Sequence, residues 1–220
     1  VCAGRTDTGV HALKQVVHFE TQARRSAYSW MRGSNSNLPD DVSVNWCLET
    51  TDSFHARYSA LSRTYNYLIL NRQSRSGVMY GGATWVPQKL DEMKMAEAAQ
   101  SLLGEHDFSS FRARGCQAKS PIREVKQISV FRIDEYVIIS VRANAFLQRM
   151  VRNFAGLLIE IGLARRTPTW ARDVLLSKDR EKAGVTAPPF GLYLVNVSYP
   201  KEYGIPEKAA ILATILKIHS

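Results

Sequence analysis

The stretch "REVKQISVFRIDEYVIISVRA", residues 123–143, contains two runs rich in β-branched residues on either side of Asp134 and Glu135. Such runs predict strands, and the acidic pair between them predicts a turn. We therefore predict an antiparallel β-hairpin that turns near Asp134 and Glu135. Outside the hairpin, the alternating stretch 62–71 and the apolar stretch 191–200 predict two more strands.

Helices and further strands surround these elements. Helical spacing of apolar residues predicts a long helix from about Ala145 to Gly162. Shorter helices are predicted over 26–38, where Gly33 should break the helix, over 90–104, after Pro168, and in the tail 201–220; short strands are predicted over 14–20 and 42–49. Strands and helices mixed without a regular βαβ period predict an α+β fold with a mostly antiparallel sheet.

The composition favours a nucleic acid as the partner. The chain has 29 Lys plus Arg against 20 Asp plus Glu, a formal net charge of +9 at pH 7. A basic excess attracts polyanions, although an inert basic surface is the alternative. Three cysteines without paired spacing predict neither a disulfide framework nor a zinc site, and are typical of a reducing cytoplasm. No apolar run is long enough to span a membrane.

The loop "GRTDTGVHA", residues 4–12, presents a single acid, Asp7, between two threonines and two glycines. Its glycine spacing resembles a phosphate-binding loop, but that loop requires Lys and then Ser or Thr after the second glycine, and an acid inside it would repel phosphate. An aspartyl-phosphate enzyme would need a second acid to hold magnesium. We expect a lone carboxylate that the Thr6 and Thr8 hydroxyls orient, with a plain turn as the alternative.

Arginines and aromatic residues are interleaved in two stretches, "FHARYSALSRTYNY" (54–67) and "HDFSSFRARG" (106–115). This mixture allows a protein to bind phosphates and to stack on bases. Core packing is the alternative for each aromatic residue. We expect it for Tyr65 or Tyr67, but not for both.

The predicted helix 144–162 has two different faces. Phe146, Met150, Phe154, Leu157 and Ile161 share an apolar face, and Gln148, Arg149, Arg152 and Gly156 share the opposite one. A glycine in mid-helix costs about 1 kcal/mol relative to alanine, so Gly156 indicates close approach of a ligand or another segment. If Arg152 points at Asp7, it keeps that acid ionised and oriented. A solvated basic face is the alternative.

Six blocks of the sequence resemble one known family. They are "GRTDTGVHA…QVVHFET", "NLPDDV", "FHARYSA…RTYNYLI", "DFSSFR", "FLQRMVRNFAGLLIEIG" and "TAPPFGLYLVNVSYP". In this order they resemble the TruA family, the bacterial tRNA pseudouridine synthases I. The resemblance implies a cytoplasmic isomerase that needs no cofactor and no metal. It implies a homodimer that acts on the anticodon stem-loop of tRNA, at positions 38 to 40.

The resemblance also implies roles for particular residues. Asp7 matches the catalytic aspartate, Arg152 the arginine paired with it, and Tyr65 the tyrosine that stacks on the target uracil. Arg5 is expected to contact the RNA backbone, and Leu192 to line the pocket. Further RNA contacts are expected from six basic residues: Arg24, Arg25, His55, Arg57, Arg112 and Arg149. Whether Asp7 attacks the sugar or the base, or acts as a base toward the ribose, stays open.

The fold that the resemblance implies has two ferredoxin-like halves with a joined sheet and a central cleft. We expect an N-terminal half over 1–58, a C-terminal half over 59–200 and a tail helix over 201–220. The family begins with a strand and a helix before the aspartate loop, and we expect both to be missing here. Two other functions remain open: a non-catalytic RNA-binding module, and a carboxylate-dependent hydrolase with a second acid near Asp7.

Overall fold

The computed structural model describes residues 1–206. The predicted tail helix lies almost wholly outside these residues, and Lys201–Tyr203 form a short 3-10 turn. The strands are β1 (His11–Ala12), β2 (Ser62–Leu70), β3 (Thr84–Trp85), β4 (Gly104–Asp107), β5 (Ile122–Ile133), β6 (Tyr136–Ala143) and β7 (Leu192–Ser198). The helices are α1 (Ala27–Asn35), α2 (Glu92–Gln100), α3 (Met150–Gly162) and α4 (Trp170–Ser177), with 3-10 turns at Ser109–Phe111 and Arg180–Ala183.

The strands form one seven-stranded mixed sheet in the order β1-β7-β2-β6-β5-β4, with β3 paired to β2 off this path. Four pairings are antiparallel, and the two that involve the two-residue strands β1 and β3 are parallel. The predicted hairpin is confirmed as β5–β6, and Asp134 turns it with a φ of 49°. The mixed α and β architecture and the mostly antiparallel sheet are therefore confirmed.

The main core lies between the sheet and the helices α2, α3 and α4. Tyr67, Ile139 and Val141 of the central strands share one buried cluster with the apolar face of α3, including Phe154 and Leu158. A smaller cluster occupies the other face of the sheet: Leu68, Ile138, Tyr193 and Val195. No helix within residues 1–206 is long and apolar enough to cross a membrane.

The strands predicted over 14–20 and 42–49 are wrong. Both stretches are irregular, apart from a single bridge between Cys2 and Val17. Val16 and His18 share backbone hydrogen bonds with Ala3 and Val1, but this pairing is limited to the one bridge, and side-chain propensity alone does not extend it. Gly33 does not break α1, which continues through it to Asn35.

The long helix begins five residues later than predicted, at Met150. Arg149 precedes it with a left-handed φ of 62°, so Gln148 and Arg149 lie outside the helix. Its first full turn closes with a bond from the Asn153 N–H to the Arg149 carbonyl. Positions 152 and 156 therefore share a face of α3, whereas Arg149 belongs to the turn before the helix.

Candidate active site

The Asp7 loop is fixed by backbone hydrogen bonds and by a wall from the C-terminal part of the chain. The Val10 N–H donates to the Asp7 carbonyl at 3.0 Å, across a turn in which Gly9 has a φ of 81°. A Cβ on Gly9 would lie 3.0 Å from Pro189 and 3.1 Å from the Phe190 ring. A side chain at position 9 would therefore be strained and crowded, which explains glycine there.

The structure brings Asp7 and Arg152 together. The Arg152 guanidinium donates to Asp7 Oδ2 at 3.0 Å, and Arg149 Nε lies 3.8 Å from the same oxygen. The Arg152 side chain is 13% exposed, and that of Asp7 is 33% exposed. No bond from the Thr6 or Thr8 hydroxyl to this carboxylate is found in the described part of the chain, so the expectation that they orient it is wrong.

The two cations differ in how firmly they hold the acid. A charge-assisted hydrogen bond in a largely buried site contributes about 1.5–3 kcal/mol. Arg149 is half-exposed and its ion pair is longer, so that pair contributes about 1 kcal/mol or less. Asp7 is thus oriented by Arg152, while Arg149 remains accessible at the rim of the site.

Tyr65 lies beneath the start of the Asp7 loop. Its hydroxyl is 3.6 Å from the position that a Cβ on Gly4 would occupy, and its ring meets Phe146 edge-on at 5.0 Å. Burial raises the pKa of Tyr65 to about 12, and Arg63 opposes this rise. The Tyr65 phenol is therefore neutral at neutral pH.

Tyr65 and Tyr67 are both buried, so the expectation that only one would be is wrong. Residues two apart on a strand point to the same face, and this face of β2 meets the helices. The Tyr67 hydroxyl donates to the Pro188 carbonyl at 2.8 Å and pairs with Thr84 Oγ1 at 2.6 Å. Tyr67 thereby ties β2 to the segment that borders the site.

The predicted close approach at Gly156 is confirmed. A Cβ at this position would lie 1.9 Å from the Val185 carbonyl oxygen. One turn earlier, Arg152 Nε donates to the Ala187 carbonyl at 2.9 Å, and the Ala187 N–H donates back to the Arg152 carbonyl at 3.1 Å. Residues 184–188, which we call the site segment, therefore lie directly along α3.

Leu192 begins β7 at the end of this stretch. It is buried, pairs with Tyr67 across the sheet, and donates its N–H to the Pro189 carbonyl at 2.9 Å. Its position anchors the turn of residues 189–192 whose Phe190 ring packs on Gly9. Arg5, two residues before Asp7, is exposed.

The other basic candidates are spread over the surface. Arg24 and Arg25 are exposed and line a cavity of about 1650 Å³ between residues 16–27 and 44–54, and Arg25 lies over the Trp30 ring. Asp7 does not line this cavity. These two arginines therefore belong to a different part of the surface from the Arg149 rim.

His55 and Arg57 lie in a turn where His55 stacks on the exposed ring of Tyr58 at 4.2 Å and the Arg57 guanidinium lies 5.8 Å from the same ring. Arg57 is exposed, while Arg112 uses one nitrogen to bind the Cys116 and Ala118 carbonyls at 2.7 Å each. Arg112 therefore also serves to hold its own loop.

Arg63 does not face solvent, although it belongs to the basic and aromatic stretch. It is 8% exposed, and burial lowers its pKa from the ordinary arginine value. Its guanidinium donates to the carbonyls of Ala3 and Asn144, both at 3.0 Å, and to that of Arg57. It ties the base of the Asp7 loop and the turn before α3 to β2.

Asn153 and the site segment were not among the residues expected from the sequence. Asn153 is 1% exposed within the apolar run of α3, and buried polar side chains are normally bonded to specific partners. A lone amide among apolar neighbours was the available signal. The site segment gives no such signal, because its contribution is made by backbone groups.

This arrangement can hold a reactive carboxylate in one orientation. Asp7 is partly accessible to a solute, Arg152 balances its charge, and the hydroxyl of the buried Tyr65 lies next to the loop. The carboxylate can act as a nucleophile or as a base toward a neutral ring bound there. The exposed Arg149 and Arg5 add positive charge near this acid.

Comparison with known proteins gives consistent matches. A sequence model of the tRNA pseudouridine synthase family matches residues 98–200. The chain is 51% identical over 205 residues to tRNA pseudouridine synthase A of Coxiella burnetii strain Dugway 5J108-111, which covers 93% of the chain and 78% of that protein. It is 52% identical over 208 residues to the proteins of the same name from Shewanella baltica strain OS155 and Methylococcus capsulatus strain Bath, covering 94% of the chain and 80% and 77% of those proteins.

Proposed function

Because this chain belongs to the tRNA pseudouridine synthase family, we infer that it is an isomerase that converts uridine to pseudouridine in tRNA. The observation that supports this most directly is the Arg152–Asp7 hydrogen bond of 3.0 Å in a loop that overlies Tyr65. A protein that only bound RNA would gain nothing from an acid displayed toward phosphates. The geometry therefore favours the enzyme over a non-catalytic RNA-binding module.

The reaction exchanges one glycosidic bond for another. The bond from uracil N1 to ribose C1′ breaks, uracil rotates, and a bond from C5 to C1′ forms. The C5 hydrogen leaves as a proton and N1 gains one, so the product is an isomer of the substrate. We propose that Asp7 supplies the carboxylate, as a nucleophile or as a base toward the ribose, and that Arg152 orients it.

A uridine must leave its stack before Asp7 can reach its glycosidic bond, at a cost of a few kcal/mol. We propose that Tyr65 provides the replacement stack and that Leu192 lines the uracil pocket. Arg5 and Arg149 border the acid and are suited to bind the RNA backbone as the base is turned out. Arg24, Arg25, His55, Arg57 and Arg112 are proposed as further RNA contacts.

We propose that the targets are uridines 38 to 40 of the anticodon stem-loop and that the enzyme works in the cytoplasm as a homodimer. We also propose that residues 1–58 and 59–200 are the two halves of the fold, followed by a tail over 201–220. The parallel pairing of β1 with β7 supports a sheet shared between the halves. Sedimentation analysis of the purified protein tests the dimer.

Tritium release tests the activity. The substrate is a tRNA transcript labelled at C5 of its uridines, and a second transcript has cytidine at positions 38 to 40. We expect the wild-type protein to release tritium from the first transcript and none from the second. Release from both transcripts would overturn the proposed positions, and release from neither would overturn the proposed function.

The substitution Asp7→Asn tests the role of the acid. The amide keeps the shape of the side chain but can act neither as nucleophile nor as base. We expect release to stop while tRNA binding, measured by filter retention, is kept. Asp134→Asn makes the same chemical change in the distant β5–β6 turn, where asparagine tolerates a φ of 49°, and should release tritium at the wild-type rate. Release by Asp7→Asn would remove Asp7 from the mechanism.

A further inference from the structure

The direction of the Arg152 side chain depends on the place of Ala187. The two residues exchange two hydrogen bonds, one from the guanidinium Nε to the Ala187 carbonyl and one from the Ala187 N–H to the Arg152 carbonyl. The Nε bond leaves the outer nitrogen of the same guanidinium to donate to Asp7. A shift of Ala187 would therefore turn the group that holds the acid.

A polar cluster around the buried side chain of Asn153 fixes the chain beside Ala187. The Thr186 hydroxyl donates to Asn153 Oδ1 at 2.6 Å, and the amide of Asn153 donates to the Phe111 carbonyl at 2.7 Å. Arg180 donates to Asn153 Oδ1 at 3.1 Å and to Thr186 Oγ1 at 2.8 Å. Asn153, Thr186 and Arg180, which we call the Asn153 cluster, thus form a hydrogen bond in each of their three pairs.

The Asn153 cluster connects α3 to the site segment, as the bonds between Arg152 and Ala187 also do. Asn153 follows Arg152 on α3, and Thr186 precedes Ala187 in the site segment. The site segment has no helix or strand of its own, and Val185 is 79% exposed. Its register against α3 therefore depends on these bonds, on the bonds of Tyr67 and Arg180 to the Pro188 and Gly184 carbonyls, and on the space left by Gly156.

We propose that Asn153, Thr186 and Arg180 are positioning residues, which hold the site segment so that Arg152 keeps Asp7 in its reactive orientation. This rests on the proposed function, because it assigns the cluster a part in the reaction of the same site. None of the three touches the substrate in this account. Their effect passes through Ala187 to Arg152.

Thr186→Val tests the proposal, because valine has nearly the same shape and removes both bonds of the hydroxyl. We expect kcat for tritium release to fall about 5- to 50-fold. This corresponds to part of the free energy of the two lost bonds, one neutral and one charge-assisted. The Kd for tRNA should stay within about twofold, because Arg152 faces the acid and not the phosphates. Thr186→Ser keeps the hydroxyl and should restore most of kcat.

A loss of fold stability must be distinguished from a loss of the Arg152 orientation. Asn71 is also buried, and its amide bonds to the Val86 and Gln88 carbonyls far from the site. Asn71→Ser and Asn153→Ser should lower the free energy of unfolding in urea to similar degrees. When both variants are assayed under conditions in which they stay folded, we expect only Asn153→Ser to lower kcat.

A double-mutant cycle gives the decisive measurement. If Thr186 acts through Arg152, then Thr186→Val has less than a twofold effect on kcat once Arg152 is lysine. An equal fold-loss in both backgrounds, or full kcat in Thr186→Val, would overturn the proposal. Absence of tritium release by the wild-type protein would instead overturn the proposed function, so the two failures are distinguishable.

Discussion

Arg152 is the residue whose chemistry is hardest to replace, because its planar guanidinium binds the Ala187 carbonyl and the Asp7 carboxylate at once. Lysine keeps the charge but concentrates it on one nitrogen at the end of a flexible stem. We expect Arg152→Lys to lower kcat about 10- to 150-fold, which corresponds to about 1.5–3 kcal/mol for the lost charge-assisted bond. Single-turnover tritium release with saturating enzyme measures this step.

Arg165→Lys is the matched control, since Arg165 forms an exposed ion pair with Glu160 at 2.9 Å away from the acid. This variant should keep the wild-type rate. An unchanged rate in Arg152→Lys would mean that charge alone is sufficient and that the Nε bond to the Ala187 carbonyl has no part in the chemistry.

The sequence showed both members of the Asp7–Arg152 pair, and the resemblance implied that they meet, but neither indicated the groups that support them. A lone acid in a glycine-rich loop and an arginine on a helix face are visible in the order of residues. Arg63 gave the opposite signal, because an arginine among aromatics is typical of an RNA surface, whereas here it is buried against backbone carbonyls. The tertiary structure decides which backbone carbonyls are left for a side chain such as Arg63 to bind. The residue types in the sequence do not indicate them.

The contact between α3 and the site segment makes Gly156 a sensitive position. A Cβ there would meet the Val185 carbonyl at 1.9 Å, so the segment must move. We expect Gly156→Ala to lower the free energy of unfolding by about 1–3 kcal/mol, the usual cost of overpacking, and to lower kcat because Ala187 moves with Val185. Urea unfolding and tritium release measure the two effects.

Gly33 provides the control for this change. It also lies in a helix, α1, but a Cβ on it would meet nothing within 4 Å. Gly33→Ala should therefore raise stability by up to about 1 kcal/mol through helix propensity and leave kcat unchanged. If Gly156→Ala were as stable and as active as Gly33→Ala, the segment would be free to shift without consequence.

The ion pair between α2 and β5 makes part of the stability depend on pH. Arg132 donates to the Glu92 carboxylate at 3.0 Å, and this bond lowers the pKa of Glu92 below its ordinary 4.5. A carboxyl with a lowered folded pKa stabilises the fold fully above pH 4.5, and the stabilisation is lost as the pH falls below that value. We expect Glu92→Gln to be less stable than wild type at pH 7, with a difference that shrinks below pH 4.5.

Urea unfolding at several pH values between 7 and 3.5 measures this difference. Glu97→Gln changes an exposed residue of the same helix and should give a nearly constant difference from wild type across the range. A Glu92→Gln difference that stayed constant down to pH 3.5 would show that the ion pair contributes nothing to folding.

Among the elements, the strands that the sequence predicted well are those paired over most of their length. β5 and β6 pair through a turn of two residues, and β2 pairs with β6 from Arg63 to Leu70 and with β7 on its other side. The stretches 14–20 and 42–49 have similar side chains, yet their backbones are not paired in this way. The start of α3 was also missed, because Arg149 adopts a left-handed conformation with a φ of 62°, which its helix propensity does not predict.

For the molecule as a whole, the charge of +9 makes binding of tRNA depend on salt. Neutralised phosphates release counterions, so the logarithm of the affinity falls linearly with the logarithm of salt concentration. We expect at least a tenfold loss of tRNA affinity between 50 and 200 mM KCl. Arg57→Gln should reduce the slope by about one if this arginine contacts a phosphate.

Asp7→Asn should show the same slope as wild type, since the acid does not contact phosphates in the proposed complex. Filter binding over a salt series measures all three proteins. A flat salt dependence in the wild-type protein would mean that its excess of arginine and lysine does not meet the RNA.

Asp7 and Arg152 are 145 positions apart, and the wall against Gly9 comes from Pro189 and Phe190. During translation Asp7 therefore leaves the ribosome long before Arg152. Pro189 and Phe190, which pack on Gly9, leave it later still. A nascent chain that has not reached Phe190 therefore carries the acid without the residues that orient it and that shape its turn.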